Sequence, residues 1–297
     1  MIRIKIPATS ANLGAGFDSL GLAVNLYNYV DMELSDKIDI SSSDNTRVPT
    51  NQNNLVYSSA NYLFELCGKK LEGLKIVQSN NIPMTRGLGS SSACIIGGLV
   101  GANELLGNQF PKDELVNIAS KIEGHPDNTT PALLGGIVTA VIEDNKVYWV
   151  KQEVLNQLKM VAIIPDFQLS TAKARKCLPS HVSHLDARFN LSRAALFSAS
   201  LLQGKYENIK IAVNDKLHQP YRMKLIAHAQ DVFDKAYDQN AYGVYISGAG
   251  PTIMAIINGE DNVFSNGMRE YLDSYSLNGW QIKELRIDNL GTTVEQI

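Results

Sequence analysis

The chain has 297 residues, 44% hydrophobic and 19% charged, with 27 lysines and arginines against 30 aspartates and glutamates. This length and apolar share predict two domains or one large α/β domain, and exclude a disordered chain. A formal net charge of −3 excludes a broad basic face for nucleic acid, while leaving room for a small anion held by a few placed cations.

In chain order, the opening MIRIKIPATS alternates Ile2, Ile4 and Ile6 with Arg3 and Lys5, the pattern of a strand and not of an apolar leader. Residues 41–54 are polar and contain Pro49, which predicts a loop. Residues 55–66 have helical spacing, 74–78 read as a strand, and 91–106 and 111–122 read as two helices, the first rich in small residues. Two strands, 136–142 and 146–150, meet at Glu143-Asp144-Asn145. After a connector at 152–158 come a strand at 159–164, helices at 190–202 and 224–236, strands at 244–247 and 252–257, a helix at 262–275 and a strand at 281–287. This second half alternates in the manner of a split β-α-β sandwich, which sets a domain boundary near residue 155, give or take about ten residues. Cys67, Cys94 and Cys177 are far apart and form no C-x-x-C pair, so neither a disulfide framework nor a cysteine zinc site is expected. The longest stretches rich in apolar and small residues are about ten residues long, too short to span a bilayer. A cytoplasmic protein without membrane or nucleic-acid partners is the expectation.

The sharpest local feature is PMTRGLGSSSA at residues 83–93, placed before an apolar helix. Its glycines permit a tight turn and close approach of a ligand, and the N–H groups of the following helix suit phosphate oxygens. Neither the Walker pattern nor the three-glycine dinucleotide fingerprint fits it. Taken alone, the loop reads equally well as a plain helix-capping turn.

Two further segments accompany it: PATSANLGAGFDSLGLA at 7–23 and SGAGPT at 247–252, the latter between two strands. The three motifs in this order resemble the GHMP kinase superfamily, and the ANLGAGFD form of the first resembles its homoserine kinases. The resemblance runs from residue 2 to about 287. It implies an α+β fold of two domains, a ribosomal-protein-like β-α domain at 1–155 and a ferredoxin-like α/β sandwich at 156–297. It also implies ATP-dependent phosphorylation of the L-homoserine side-chain hydroxyl, with Mg²⁺, in threonine biosynthesis. Homoserine kinases are often dimers, the one ground for expecting a homodimer.

By the same resemblance, Pro83, Arg86, Gly87, Leu88, Gly89, Ser90, Ser91 and Ser92 form the ATP loop. Ser91 and Glu123 hold Mg²⁺, whose preference for hard oxygens suits both. Asn54 matches an adenine-side asparagine. On the substrate side, Asp18 answers the amine, Arg175 and Arg222 the carboxylate, and Asn12, His125, Asn128 and Thr171 complete the pocket; arginine suits a carboxylate because its planar fork makes two parallel bonds. Asn128 and Asn12 hold the attacking hydroxyl. Asn128 cannot act as a base, so direct in-line attack is expected. SGAGPT is expected to act as structural support that approaches the Gly-Ser loop. Without the resemblance, Arg175 and Arg222 read as surface ion-pair formers, Glu123 as a solvated helix end and Asn54 as a loop residue. His218 has no setting that suggests a role, and His181 and His184 read as loop residues. A kinase for another small alcohol, or a catalytically silent ligand sensor, stays open beside the leading reading.

Overall fold

The computed structural model describes residues 1–153 and 157–297. Strand β1 (Ile2–Ala11) begins with the expected alternation and then runs buried on both faces. It pairs antiparallel with β2 (Leu20–Leu34), a 15-residue strand that the sequence reading did not anticipate. The first residues of β2 pair with β5 (Ile137–Glu143), and its later residues pair with β4 (Leu74–Ser79). A short β3 (Asp39–Ser42) lies parallel to β4, so Ser41 and Ser42 stand in a strand and not in the predicted loop. Strand β6 (Lys146–Gln152) continues the sheet beyond β5. Helices α1 (Leu55–Leu66), α2 (Ser90–Leu105), α3 (Lys112–Glu123) and α4 (Pro126–Leu134) carry Leu63, Ile95, Leu99, Leu115 and Leu133 into one core with Ile4, Ile6 and Met32 of the sheet.

The second sheet is antiparallel and holds four strands in the order β10 (Gln281–Leu285), β7 (Leu158–Ile164), β9 (Ile253–Asn258), β8 (Gly243–Ile246). Numbered in sequence, that is fourth, first, third, second. Helices fall between the first two strands and between the last two, which is the ferredoxin-like arrangement. Strand β7 is buried on both faces, and alternate residues serve different cores. Met160, Ala162 and Ile164 face the core shared with the first sheet, while Val161 and Ile163 face α9 (Ala229–Asp238) and α10 (Phe264–Ser274).

The expected helix over 224–236 is interrupted. Residues Met223–Leu225 form a single 3-10 turn, Ile226 is extended and buried in the second core, and α9 starts only at Ala229. Between β7 and α9 also lie α5 (Thr171–Lys176), α6 (His184–Gln203), α7 (Ile209–Ala212) and α8 (Gln219–Arg222). His184 begins α6 and is not a loop residue, because the Ser183 hydroxyl accepts from Asp186 N and caps the helix there. The boundary expected at 155 lies outside the described residues. After β10 the chain returns to the first sheet, where β11 (Thr293–Gln296) pairs antiparallel with β1, Ile2 facing Gln296. Among the described residues no helix is long and apolar enough to cross a membrane.

Candidate active site

The three motifs meet at one cleft of about 280 Å³. Helix α2 starts at Gly89, which has φ +72° and no side-chain cap, so its first-turn N–H groups have no local partner and open toward the cleft. A Cβ on Gly89 would fall 1.9 Å from Thr9 Oγ1, and one on Gly87 would fall 2.3 Å from Ser247 O. Both positions therefore demand glycine on space as well as on φ. The Gly-Ser loop is clamped to the SGAGPT turn: Ser247 Oγ donates to Gly87 O at 2.6 Å and Thr252 N donates to Arg86 O at 3.2 Å. The first motif joins them, with Asn12 Nδ2 donating to Gly248 O at 2.8 Å and Gly248 N to Ala11 O at 3.0 Å.

Of the expected ATP-side residues, Arg86, Gly87, Gly89, Ser90, Ser91 and Ser92 line the cleft. Leu88 points its side chain into the core, while its carbonyl accepts from Thr9 N. Pro83 lines a neighbouring groove. Two assignments need correction. The Arg86 guanidinium donates to the carbonyls of Pro165, Asp166 and Met84, so it latches the loop to the end of β7 and is not aimed at a phosphate. Asn54 lies outside this cleft and spends its whole amide on structure. Its Oδ1 caps α1 by accepting from Val56 N and Tyr57 N, and its Nδ2 donates to Gln78 Oε1 and Pro49 O. No hydrogen-bonding capacity remains for a base edge.

At the start of α2, Ser91 Oγ donates to Glu123 Oε2 at 3.3 Å and Ser92 Oγ to Glu123 Oε1 at 3.0 Å. The opposite wall carries the charges. Arg175, at the last turn of α5, makes two parallel bonds to Asp18 at 2.8 and 3.0 Å. That contact raises the Arg175 pKa. Thr171 begins α5 and also lines the cleft. Arg222 is 2% exposed, donates through Nη1 to Gly248 O at 2.7 Å, and keeps a buried Nε that has no hydrogen-bond partner among the described residues. Burial and the nearby Arg175 cation both push its pKa down. Among the described residues no carboxylate forms an ion pair with it.

Helix α4 begins with His125 as its N-cap residue and Pro126 in its first turn. His125 Nδ1 meets Asp127 Oδ1 at 2.6 Å, and Asn128 Nδ2 donates to the same oxygen at 3.4 Å. Asn128 Oδ1 accepts from Thr9 Oγ1 at 2.7 Å. Burial acts to lower the His125 pKa, but the bond and charge of Asp127 overcome it and the pKa is raised. Asp18, His125 and Asp127 bring ligand atoms within 4.8 Å of one another, an anionic pocket beside the two arginines. Thus Asn12, Asp18, His125, Asn128, Thr171, Arg175 and Arg222 share one cleft with Ser91 and Glu123.

Sequence reasoning missed Thr9, Phe17 and His218. Phe17 faces both guanidiniums, at 5.8 Å from Arg175 and 5.2 Å from Arg222. Its place one residue before Asp18 was the available signal, and for His218 it was the four-residue spacing to Arg222.

Family models for the GHMP kinases N terminal domain and the GHMP kinases C terminal match residues 54–136 and 197–272. The chain is 48% identical to a homoserine kinase of Clostridium botulinum strain Eklund 17B over 99% of its own length and 98% of the relative's. It is also 48% identical to a homoserine kinase of Clostridium beijerinckii, with the same coverage of both chains. A crystal structure of homoserine kinase from Cytophaga hutchinsonii superposes with a TM-score of 0.90 at 30% identity, over 99% of this chain and 97% of that one.

Two outcomes are expected. Asn54→Ala should cost about 1–2 kcal/mol of stability in denaturant unfolding while KM for ATP stays within about twofold; a large rise in that KM would restore Asn54 to the nucleotide. The second concerns pH. Because the folded pKa of His125 lies above its ordinary value of about 6.5, its pairing with Asp127 stabilises the fold fully below that value and ceases to do so as pH rises through the folded pKa. The melting-temperature loss from His125→Gln should therefore be larger at pH 5.5 than at pH 9, and the reverse order would contradict the assignment.

Proposed function

Because the chain belongs to the homoserine kinases of the GHMP kinase family, we propose that it transfers the γ-phosphoryl group of ATP to the side-chain hydroxyl of L-homoserine, giving O-phospho-L-homoserine for threonine biosynthesis. One observation supports the substrate side above all others. A single wall of the cleft carries Asp18, Arg175 and the carboxylate-free Arg222. An amino acid is a zwitterion, and this wall offers an anion for its ammonium and two forks for its carboxylate. Mevalonate, a sugar or shikimate has no ammonium to replace the Arg175 contact on Asp18.

Phosphoryl transfer needs alignment and charge neutralisation more than covalent chemistry. The turn at Gly87–Ser92 and the uncapped N–H groups of α2 hold the β- and γ-phosphates. The Ser91 hydroxyl and the Glu123 carboxylate, hard oxygens already in contact, would hold a Mg²⁺ ion. Held there, the ion would supply charge neutralisation at the phosphates. Asp18 and Arg175 exchange their mutual contact for the two ends of the substrate. Asn12 and Asn128 hold the hydroxyl in line, Asn128 itself being held by Thr9. Asn128 has no basic lone pair at neutral pH, so the hydroxyl attacks without a strong protein base. On the same reading, the division at 155/156 gives the phosphate loop to the first unit and both carboxylate-binding arginines to the second. The protein acts in the cytoplasm.

The test is ADP release from ATP and Mg²⁺ with L-homoserine, L-threonine, L-serine, mevalonate, galactose or shikimate. Homoserine should be turned over fastest, and turnover of mevalonate or a sugar without homoserine would refute the reading; binding without ADP would favour a silent sensor. Arg175→Ala should raise KM for homoserine at least about tenfold more than KM for ATP. For the attack itself, Asn128→Ala should lower kcat strongly. A near-normal rate in Asn128→Ala beside an inactive Asp127→Ala would instead make Asp127 the base.

A further inference from the structure

Arg222 is a fully buried cation, and what fixes its orientation is a second buried group. His218 is 0% exposed and sits four residues earlier, immediately before α8. Its Nε2 lies 2.7 Å from Gly14 O, a carbonyl that can only accept, so Nε2 carries the proton. Its Nδ1 is then an acceptor, 3.2 Å from Arg222 Nη1. The two hydrogens of Nη1 are thus divided between His218 and Gly248 O, which leaves Nη2 as the donor for a ligand in the cleft that Arg222 lines, Nε being closed off from solvent. Among the described residues Nε has no hydrogen-bond partner.

The imidazole is itself tightly held. It stacks on Phe17 at 5.2 Å between centroids, with an interplanar angle of 23°. Its backbone N–H donates to Asp215 Oδ2, which also accepts from Gln219 N, and Asp215 Oδ1 accepts from Asn190 Nδ2. Burial pushes the His218 pKa down to about 4, consistent with a neutral ring beside a guanidinium.

We propose that His218 is a positioning residue: as a neutral acceptor it holds Nη1 of Arg222 so that Nη2 is left for the carboxylate of the amino-acid substrate. This rests on the reading that Arg222 binds that carboxylate. His218 touches no substrate. Its effect belongs to the affinity for homoserine and not to phosphoryl transfer.

Three measurements test this. His218→Phe keeps a ring against Phe17 but removes the acceptor, and it should raise KM for L-homoserine about tenfold while kcat and KM for ATP stay within about twofold. His218→Asn restores an acceptor near the Nδ1 position and should recover most of the homoserine affinity, although it also loses the bond to Gly14. In an Arg222→Ala background, His218→Phe should add little further, since the group it acts on is gone. An equal rise in both KM values, no recovery in His218→Asn, or full additivity with Arg222→Ala overturns the proposal and leaves His218 a packing residue. Arg222→Ala alone leaving KM for homoserine unchanged defeats the carboxylate reading on which it rests. Should His218→Phe fail to fold, ¹⁵N NMR of the wild-type imidazole decides: an unprotonated Nδ1 supports the proposal, and a proton on Nδ1 overturns it.

Discussion

The site depends on three glycine-containing turns approaching one another at backbone distance. The Gly-Ser loop, the first motif and the SGAGPT turn are joined by Ser247 to Gly87, Gly248 to Ala11 and Asn12 to Gly248. Any Cβ at Gly87 would enter the space of the Ser247 carbonyl. These turns come from opposite sheets, so their contact fixes how the two sheets face each other. It also fixes the distance from the phosphate loop to the arginines. Packing of this kind tolerates little displacement, because close-packed interiors shift in discrete steps and do not deform smoothly.

Charge is arranged on this frame with economy. The nearly balanced composition says little about the cleft, where each charged group has a specific neighbour. Arg175 and Asp18 satisfy one another at a partly exposed rim, where such a pair contributes little stability and is easily exchanged for a ligand. Arg222 is different: a buried cation without a carboxylate is costly, and hydrogen bonds to neutral acceptors offset only part of that cost. The unbalanced remainder would favour an anion placed beside it.

Most of the fold was legible because its signals are local. Residues 55–66 carry helical spacing and became α1 without adjustment, and the two sheets follow from strands whose apolar runs are plain in the sequence. What escaped did so for tertiary reasons. Strand β2 begins inside a glycine-rich motif that reads as a loop, and its continuity comes from pairing with three neighbours. The site residues were gathered by motif and not by periodicity, and the structure brings most of them together. Asn54 and Arg86 diverged because a polar side chain near a loop has competing local partners, a helix N-terminus in one case and free carbonyls in the other. His218 was missed because its four-residue spacing to Arg222 is a weak signal and burial of a polar residue cannot be read from its own identity. Its role depends on Gly14, more than two hundred positions away.

The pairing of β11 with β1 bears on how the chain reaches this state. Residues 2 and 296 face each other, so one border of the first sheet is completed by a segment very distant in the chain. Loop closure over such a span is entropically unfavourable until nearly everything between is in place. Until then β1 presents a bare row of backbone donors and acceptors, the kind of border another chain can join. During biosynthesis β1, made well before β11, is therefore among the last strands to be sealed. A strand that joined β1 in that interval would compete with completion of the same sheet that carries Asn12 and Thr9 to the catalytic cleft.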